Sequence, residues 1–216
     1  SSLYTPQTYQ RADGSFIDPN VGQQAEMGVK TSFLNDRLCV NAAGFLMSDS
    51  GRAYKTDPNQ GYWENGGKVD CKGFEVEATL SLVPGLNVIA GYTFLDTKIT
   101  KSSSGDEGLA WSPVEPRHSG KIFGTYTIQN GPVKGLSAGT GLMAFSTRTA
   151  SVLTPERKQD PYAVWNLYLS YSFLKHFMVN VSLNNVLDST YYSRVGGNGD
   201  FFGDPRNILI GLNVSF

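Results

Sequence analysis

The residues of this chain with the most obvious chemistry are two histidines, two cysteines and a close pair of glutamates. His118 and His176 could serve a metal ion or a nucleophile–base pair if the fold brought them together. Cys39 and Cys71 could form a disulfide in an oxidising compartment. Glu75 and Glu77, two residues apart, share one face of any extended strand. A second set consists of rings and guanidinium groups between the apolar segments: Tyr62, Trp63, Trp111, Tyr192, Phe201 and Phe202, with Arg148, Arg157 and Arg194. Flat amphipathic rings and planar cations suit a bulky anionic ligand more than they suit catalysis. The glycines of "RVGGNGDFFGDPRN" resemble a phosphate loop only in composition, because no helix follows them. Which of these groups can act together depends on the elements that carry them.

Those elements alternate with period two. "AEMGVKTSF" places Ala25, Met27, Val29, Thr31 and Phe33 on one face and Glu26, Gly28, Lys30 and Ser32 on the other. "GFEVEATLSL" sets Phe74, Val76, Ala78, Leu80 and Leu82 against Glu75, Glu77, Thr79 and Ser81. The same pattern runs through residues 38–50, 86–99, 120–128, 135–145, 163–173, 178–189 and 206–216. The chain thus reads as nine full strands, preceded by a stub at residues 1–4. Glycine (24), phenylalanine (12) and tyrosine (11) are abundant, as strands, turns and aromatic girdles require. The 18 basic and 19 acidic residues are interspersed and nearly cancel, so no nucleic-acid footprint is present.

The connections alternate in length. Short ones fall at residues 35–37, 83–85, 130–135 and 174–177. Long ones fall near 53–70, 100–115, 150–160 and 191–205. Brief turns at one end and long loops at the other characterise an outer-membrane barrel, with the long loops outside the cell. This arrangement predicts an all-β, antiparallel transmembrane β-barrel wall. It puts His118 and His176 at opposite ends, which leaves no catalytic or metal constellation. Cys39 and Cys71 are predicted to be free thiols more than roughly 30 Å apart at about 3.3 Å per residue. Glu75 and Glu77 are predicted to face the lumen, with Lys30 and Lys121 as candidate partners. Tyr92, Phe94, Trp165, Leu167, Leu169, Tyr171 and Phe173 fit the lipid side. Nine strands and a stub predict part of a larger barrel, since single-chain bacterial barrels have even strand counts. The missing strands and a signal peptide are expected upstream.

Several segments carry a family resemblance: "SLYTPQ", "EMGVKTSFLNDRL", "GFEVEATLSLVPGLNVIAGYTFLDTKI", "EPRHSGKIFGTYTI" and above all "VSLNNVLDSTYYSRVGGNGDFFGDPRNILIGLNVSF". Together they resemble the C-terminal part of TonB-dependent siderophore receptors of the ferric hydroxamate, coprogen and pyoverdine type. The resemblance implies a barrel of about 22 strands, closed by an N-terminal plug that is absent from residues 1–216. It implies uptake of a ferric siderophore across the outer membrane of a Gram-negative bacterium, driven through TonB, with no enzyme activity. No cofactor is implied, iron entering only as the bound chelate. The implied partners are the siderophore, the lipid bilayer with its lipopolysaccharide, the TonB complex through the plug, and the barrel-assembly machinery through Phe216. The full-length protein would be a monomer and bind no nucleic acid. An alternative from length alone is a complete barrel of eight to ten strands with a structural, adhesive or lipid-active role. A soluble sugar-binding sandwich is a third.

Overall fold

The computed structural model describes residues 2–55, 57, 59, 61–102, 105–151, 156–174, 176–196 and 199–215. The contribution predicted for Phe216 lies outside them. One antiparallel sheet of ten strands meanders in chain order through β1 (Ser2–Thr5), β2 (Asn20–Phe33), β3 (Leu38–Tyr54), β4 (Glu64–Leu80), β5 (Leu86–Lys101), β6 (His118–Thr127) and β7 (Leu136–Phe145). Two short strands then pair with each other, β8 (Arg148–Thr149) and β9 (Lys158–Gln159). The sheet resumes with β10 (Tyr162–Phe173) and β11 (Phe177–Asn184). A second small hairpin follows, β12 (Tyr192–Arg194) with β13 (Phe201–Phe202), and β14 (Asn207–Val214) completes the sheet. The sheet is open, with β1 and β14 at its edges.

The registers place every apolar face on the same side. Val29, Ala42, Val76, Tyr92, Gly120, Ala144 and Ala163 form one continuous row across seven strands. Beyond them Leu169, Val181 and Ile210 form another. This face is covered by nothing: Met27 is 83% and Ile210 75% exposed. A sandwich would bury it against a second sheet. Of the described apolar residues only Ile17, Val69, Ile99, Val164 and Val195 are buried. The oily surface is therefore a wall facing lipid, as the alternation predicts.

The registers also fix the tilt. Phe33, the last residue of β2, lies on the row through Leu38, Leu80, Val88, Gly124, Thr140 and Leu167. The foot of β10 is Phe173, six residues below Leu167. A drop of about 20 Å across six interstrand spacings of about 4.8 Å is a tilt of roughly 35°. From Ala163 to Phe173, about 33 Å of strand, the apolar band then stands about 27 Å high, which matches a bilayer core.

The short connections, 34–37, 81–85, 128–135 and 174–176, lie at one end of the wall. The longer ones, 6–19, 55–63, 102–117, 146–161 and 185–206, lie at the other. Strand boundaries depart from the sequence expectation at this second end. The loop predicted over 53–70 shrinks, because β3 runs to Tyr54 and β4 begins at Glu64. There the hairpin stands above the lipid and needs no apolar face, so it carries no alternation to read. Two register shifts beside Gly51 interrupt it further. Conversely β11 stops at Asn184, short of the predicted Ser189. Asn185 adopts a left-handed φ of 50° and its amide bonds the carbonyls of Ser189 and Asp204.

Candidate functional site

On the polar face, Glu77 accepts an ion pair from Lys121 (Oε1 to Nζ, 3.6 Å). The lysine stem crosses Gly91, where a Cβ would stand 2.8 Å from Lys121 Cε. Glu75 and Glu77 line a hollow of about 240 Å³ with Thr93, Ser119 and Lys121. Both ends of the ion pair are more than half exposed, so it contributes less than about 1 kcal/mol. Lys30, the other predicted partner, forms no ion pair among the described residues; it lies opposite Asn41 on β3.

His118 opens β6 and its Nδ1 is 2.6 Å from the Tyr92 hydroxyl. His176 sits in the turn after β10, at the other end of the wall, bonded to the Ser215 carbonyl. Cys39 and Cys71 are both free. Their separation is smaller than predicted: Cys71 pairs with Met47, eight residues along β3 from Cys39, or about 27 Å. The correction arises because β4 begins seven residues before Cys71, which places the thiol inside the wall and not at its rim. No group of three metal-ligating side chains is present among the described residues.

The predicted rings and arginines separate into two clusters. In the first, the rings of Tyr9 and Trp63 lie 4.4 Å apart and the backbone N–H of Trp63 donates to the Gln10 carbonyl. Arg52 lies over the Trp111 ring at 4.0 Å and pairs with Asp49. Trp63, Trp111, Arg52, Tyr54, Lys55, Lys68, Lys101 and Asp106 line a hollow of about 470 Å³. Trp111 also borders a deeper hollow of about 350 Å³ on the polar face, beside Leu3, Met47, Asp49 and Cys71. Arg52, Lys55, Lys68 and Lys101 outnumber Asp106 on the lining of the upper hollow, but Asp49 and Asp70 partner Arg52 and Lys68, so the excess positive charge that would attract an anion is smaller than the count of cations. Two tryptophans give it flat apolar walls. Tyr62 is half-buried beside it in the chain.

The framework of this cluster comes from amides that the sequence did not single out. Asn65 Oδ1 accepts from Asp18 N–H (2.8 Å) and Arg11 Nη2 (3.0 Å), while its Nδ2 donates to the carbonyls of Asp18 and Gly51. Gln7 donates to the same two carbonyls and accepts from Ala53 N–H. Nothing in the spacing of Gln7 and Asn65 marks them, because their partners lie 11 to 54 residues away.

The second cluster joins the connections 146–161 and 185–206. Arg148 is buried and donates to the Ser193 carbonyl (2.8 Å) and the Tyr162 hydroxyl (2.6 Å), with the rings of Phe145 and Tyr162 beside it. Arg157 binds the Gly196 carbonyl and pairs with Asp200 at 2.9 Å. Tyr191 stacks on Tyr162 at 4.5 Å, packed so closely on Gly203 that a Cβ there would lie 2.1 Å from its ring. Burial, then the nearby Asp204 charge, push the Tyr191 phenol above the ordinary tyrosine value. Tyr192 pairs with Phe202, their rings 4.7 Å apart. Arg194 is exposed opposite Phe201. Phe201 and Phe202 project, 56% and 66% exposed. Arg148 is thus consumed in holding two loops together, whereas Phe201, Phe202 and Arg194 remain open to an incoming molecule.

Comparison with known proteins supplies a context for this geometry. The family described as "TonB dependent receptor-like, beta-barrel" matches residues 1–186. The ferric-pyoverdine M114 receptor of Pseudomonas sp. (strain M114) is 31% identical over all of the chain, which spans 27% of that receptor. The ferripyoverdine receptor of Pseudomonas aeruginosa is 28% identical, with 28% of its length covered. The ferrioxamine B receptor of Salmonella typhimurium (strain LT2) is 24% identical, with 31% covered. The crystal structure of the Pseudomonas aeruginosa ferripyoverdine receptor bound to ferripyoverdine superposes with a TM-score of 0.81 at 27% identity, covering the whole chain and 30% of the receptor.

Proposed function

From the premise that this chain belongs to the TonB-dependent receptor β-barrel family, we propose that it is the C-terminal wall of an outer-membrane receptor for a ferric siderophore. Residues 1–216 contribute barrel only; the plug and the remaining strands belong to the rest of the receptor, through which TonB supplies energy. The observation that carries this reading is the one-sidedness of the wall: every apolar face outward, every long connection at one end, and at that end a basic, tryptophan-lined hollow opening above a polar lumen.

The hollow does binding work and no covalent chemistry. An anionic ferric chelate is attracted mainly by Lys101, since Asp49 and Asp70 already partner Arg52 and Lys68, and is laid against Trp63 and Trp111. Phe201, Phe202, Tyr192 and Arg194 of the second cluster form a further landing surface across the rim. Glu75 and Glu77 with Lys121 line the polar passage below. Iron passes as cargo within its chelate, so no resident metal is required.

The test is complementation. The full receptor carrying this chain is expressed in a Gram-negative host lacking its own siderophore receptors and grown under iron starvation on single purified ferric siderophores. Growth on a pyoverdine or hydroxamate chelate, lost when the host lacks TonB, is the expected result. No growth on any of a broad panel, with the receptor present in the outer membrane, overturns the proposal.

A further inference from the structure

The upper hollow contains one buried acceptor that the fold does not use. Asp106 lies in the connection 102–117, on a turn fastened to the top of β5 at the buried Ile99. Ile99 accepts from the Gly108 N–H (2.8 Å) and donates its own N–H to the Leu109 carbonyl (2.9 Å). Backbone donors that ordinarily satisfy an aspartate in such a turn are committed elsewhere. The Gly108 N–H goes to Ile99, the Leu109 N–H goes to the Asp106 carbonyl, and the carboxylate that caps the Ser102 N–H is Glu107 (2.9 Å). Asp106 Oδ1 is shut off from solvent, and no group donates to it among the described residues. Asp106 nevertheless lines the hollow, together with Lys101, Trp63 and Trp111.

The cations around it do not answer this carboxylate. Arg52 is paired with Asp49 and Lys68 with Asp70, while Lys55 lies 5.2 Å from the centre of the Trp63 ring. Lys101 shares the hollow but forms no ion pair with Asp106. A buried acceptor without a donor is costly, and turning Oδ1 toward the hollow breaks no hydrogen bond to it. A hydroxyl arriving there would fill the hydrogen bond and leave the charge unopposed. A protonated amine answers both, and the charge-assisted bond is the stronger one. The faces of Trp63 and Trp111 suit the aliphatic stem that carries such an amine. Lys101, the cation left open, repels the amine and so fixes which way round the ligand lies.

We infer that Asp106 is a specificity determinant of the hollow, accepting a protonated amine at the edge of the ferric chelate while Lys101 faces the chelate's anionic side. The inference rests on the receptor reading above and adds to it a requirement on the cargo. It is tested on the full receptor in detergent, titrated with ferrioxamine B and with a ferripyoverdine that has a lysine in its peptide, each against its N-acetylated form. Quenching of tryptophan fluorescence reports binding. The wild type is expected to bind the amine form of at least one chelate about tenfold more tightly than the acetylated form. Asp106→Asn should bring that ratio to about one by weakening the amine form alone, and Asp106→Glu should restore part of it. Wild-type affinity of Asp106→Asn for the acetylated chelate shows that the variant is folded. A ratio that survives Asp106→Asn overturns the assignment, as does a wild type that fails to distinguish the two forms or binds neither chelate. Equal weakening of both forms by Asp106→Asn also overturns it, because that is the signature of a structural role. TonB-dependent growth on any ferric siderophore upholds the transport reading in each of these cases, which keeps the two failures apart.

Discussion

The two loop clusters above the wall are built from different proportions of the same materials. The first is framed mainly by neutral amides, Gln7 and Asn65, that bond backbone carbonyls, with Arg11 the one cation in that frame, and its other cations and its tryptophans line an open hollow. The second is framed by its own cations: Arg148 and Arg157 cross-link two connections, and what remains exposed is mainly aromatic. An arginine between the strands of a receptor is thus no evidence by itself for an anion site. Its charge is available only where some other group does the structural work. That places charge recognition in the first cluster and apolar contact in the second.

The largest effect that sharpens this contrast is expected at Arg148. Arg148→Ala leaves the Tyr162 hydroxyl and the Ser193 carbonyl without their donor and removes two ring contacts. The local cost is about 3 kcal/mol. Hydrogen exchange should rise across 146–151 and 191–196 while the first cluster is untouched. Arg148→Lys is expected to recover little, since one ammonium cannot span both acceptors from a buried position. If chelate affinity falls while the loops stay protected, Arg148 is a ligand contact and the contrast fails.

Asn65→Ala is expected to rank second, at about 2 kcal/mol, by releasing the connection 6–19 from Gly51. Limited proteolysis within 6–19, with 185–196 still resistant, is the outcome that supports separate frameworks. Cleavage in both at equal rates would mean that the clusters open as one.

The contrast also accounts for what the sequence discloses. The wall was legible because lipid on one side and water on the other impose period two on every strand, and a shift of one residue would turn an oily face inward. Hence the strand count and the faces of β2, β4 and β14 agree with the alternation. Above the lipid that constraint disappears, so the tops of β3 and β4 read as loop although they remain paired, through two register shifts, up to Tyr54 and Glu64. The rings and arginines of the rim were found by type, but their division into scaffold and surface was not. It depends on contacts such as Arg148 to Ser193, 45 residues apart, which leave no periodic trace.

A smaller effect is expected at the hollow itself. Trp111→Ala removes the ring beneath Arg52 but no framework bond. Chelate affinity should fall about tenfold, the worth of one lost stacking contact, with loop protection unchanged. Phe201→Ala in the second cluster should cost an apolar contact of similar size but leave the salt dependence of binding unaltered. Arg52→Gln should reduce that salt dependence. Equal salt dependence in Phe201→Ala and Arg52→Gln would erase the division of labour between the clusters.

The smallest effects separate the clusters by pH. Asp13, in the connection 6–19, accepts from the Ser15 hydroxyl and then from its backbone N–H, and these bonds hold its carboxyl below 3.8. A lowered carboxyl contributes stability that is present above the ordinary value and lost as the pH falls through the lowered one. Tyr191 behaves in the opposite sense. Its raised phenol favours the protonated form in the folded state, so its contribution is complete below the ordinary tyrosine value and is lost as the pH rises through the raised one. The first cluster should therefore loosen at its tip only on the acid side of the ordinary carboxyl value and the second only on the alkaline side of the ordinary tyrosine value. Proteolysis or amide exchange at the two extremes reads this directly. Asp13→Ala should abolish the acid step within 11–16, because Asp13 is the carboxylate that closes that turn. An acid step that survives the substitution overturns the assignment to Asp13.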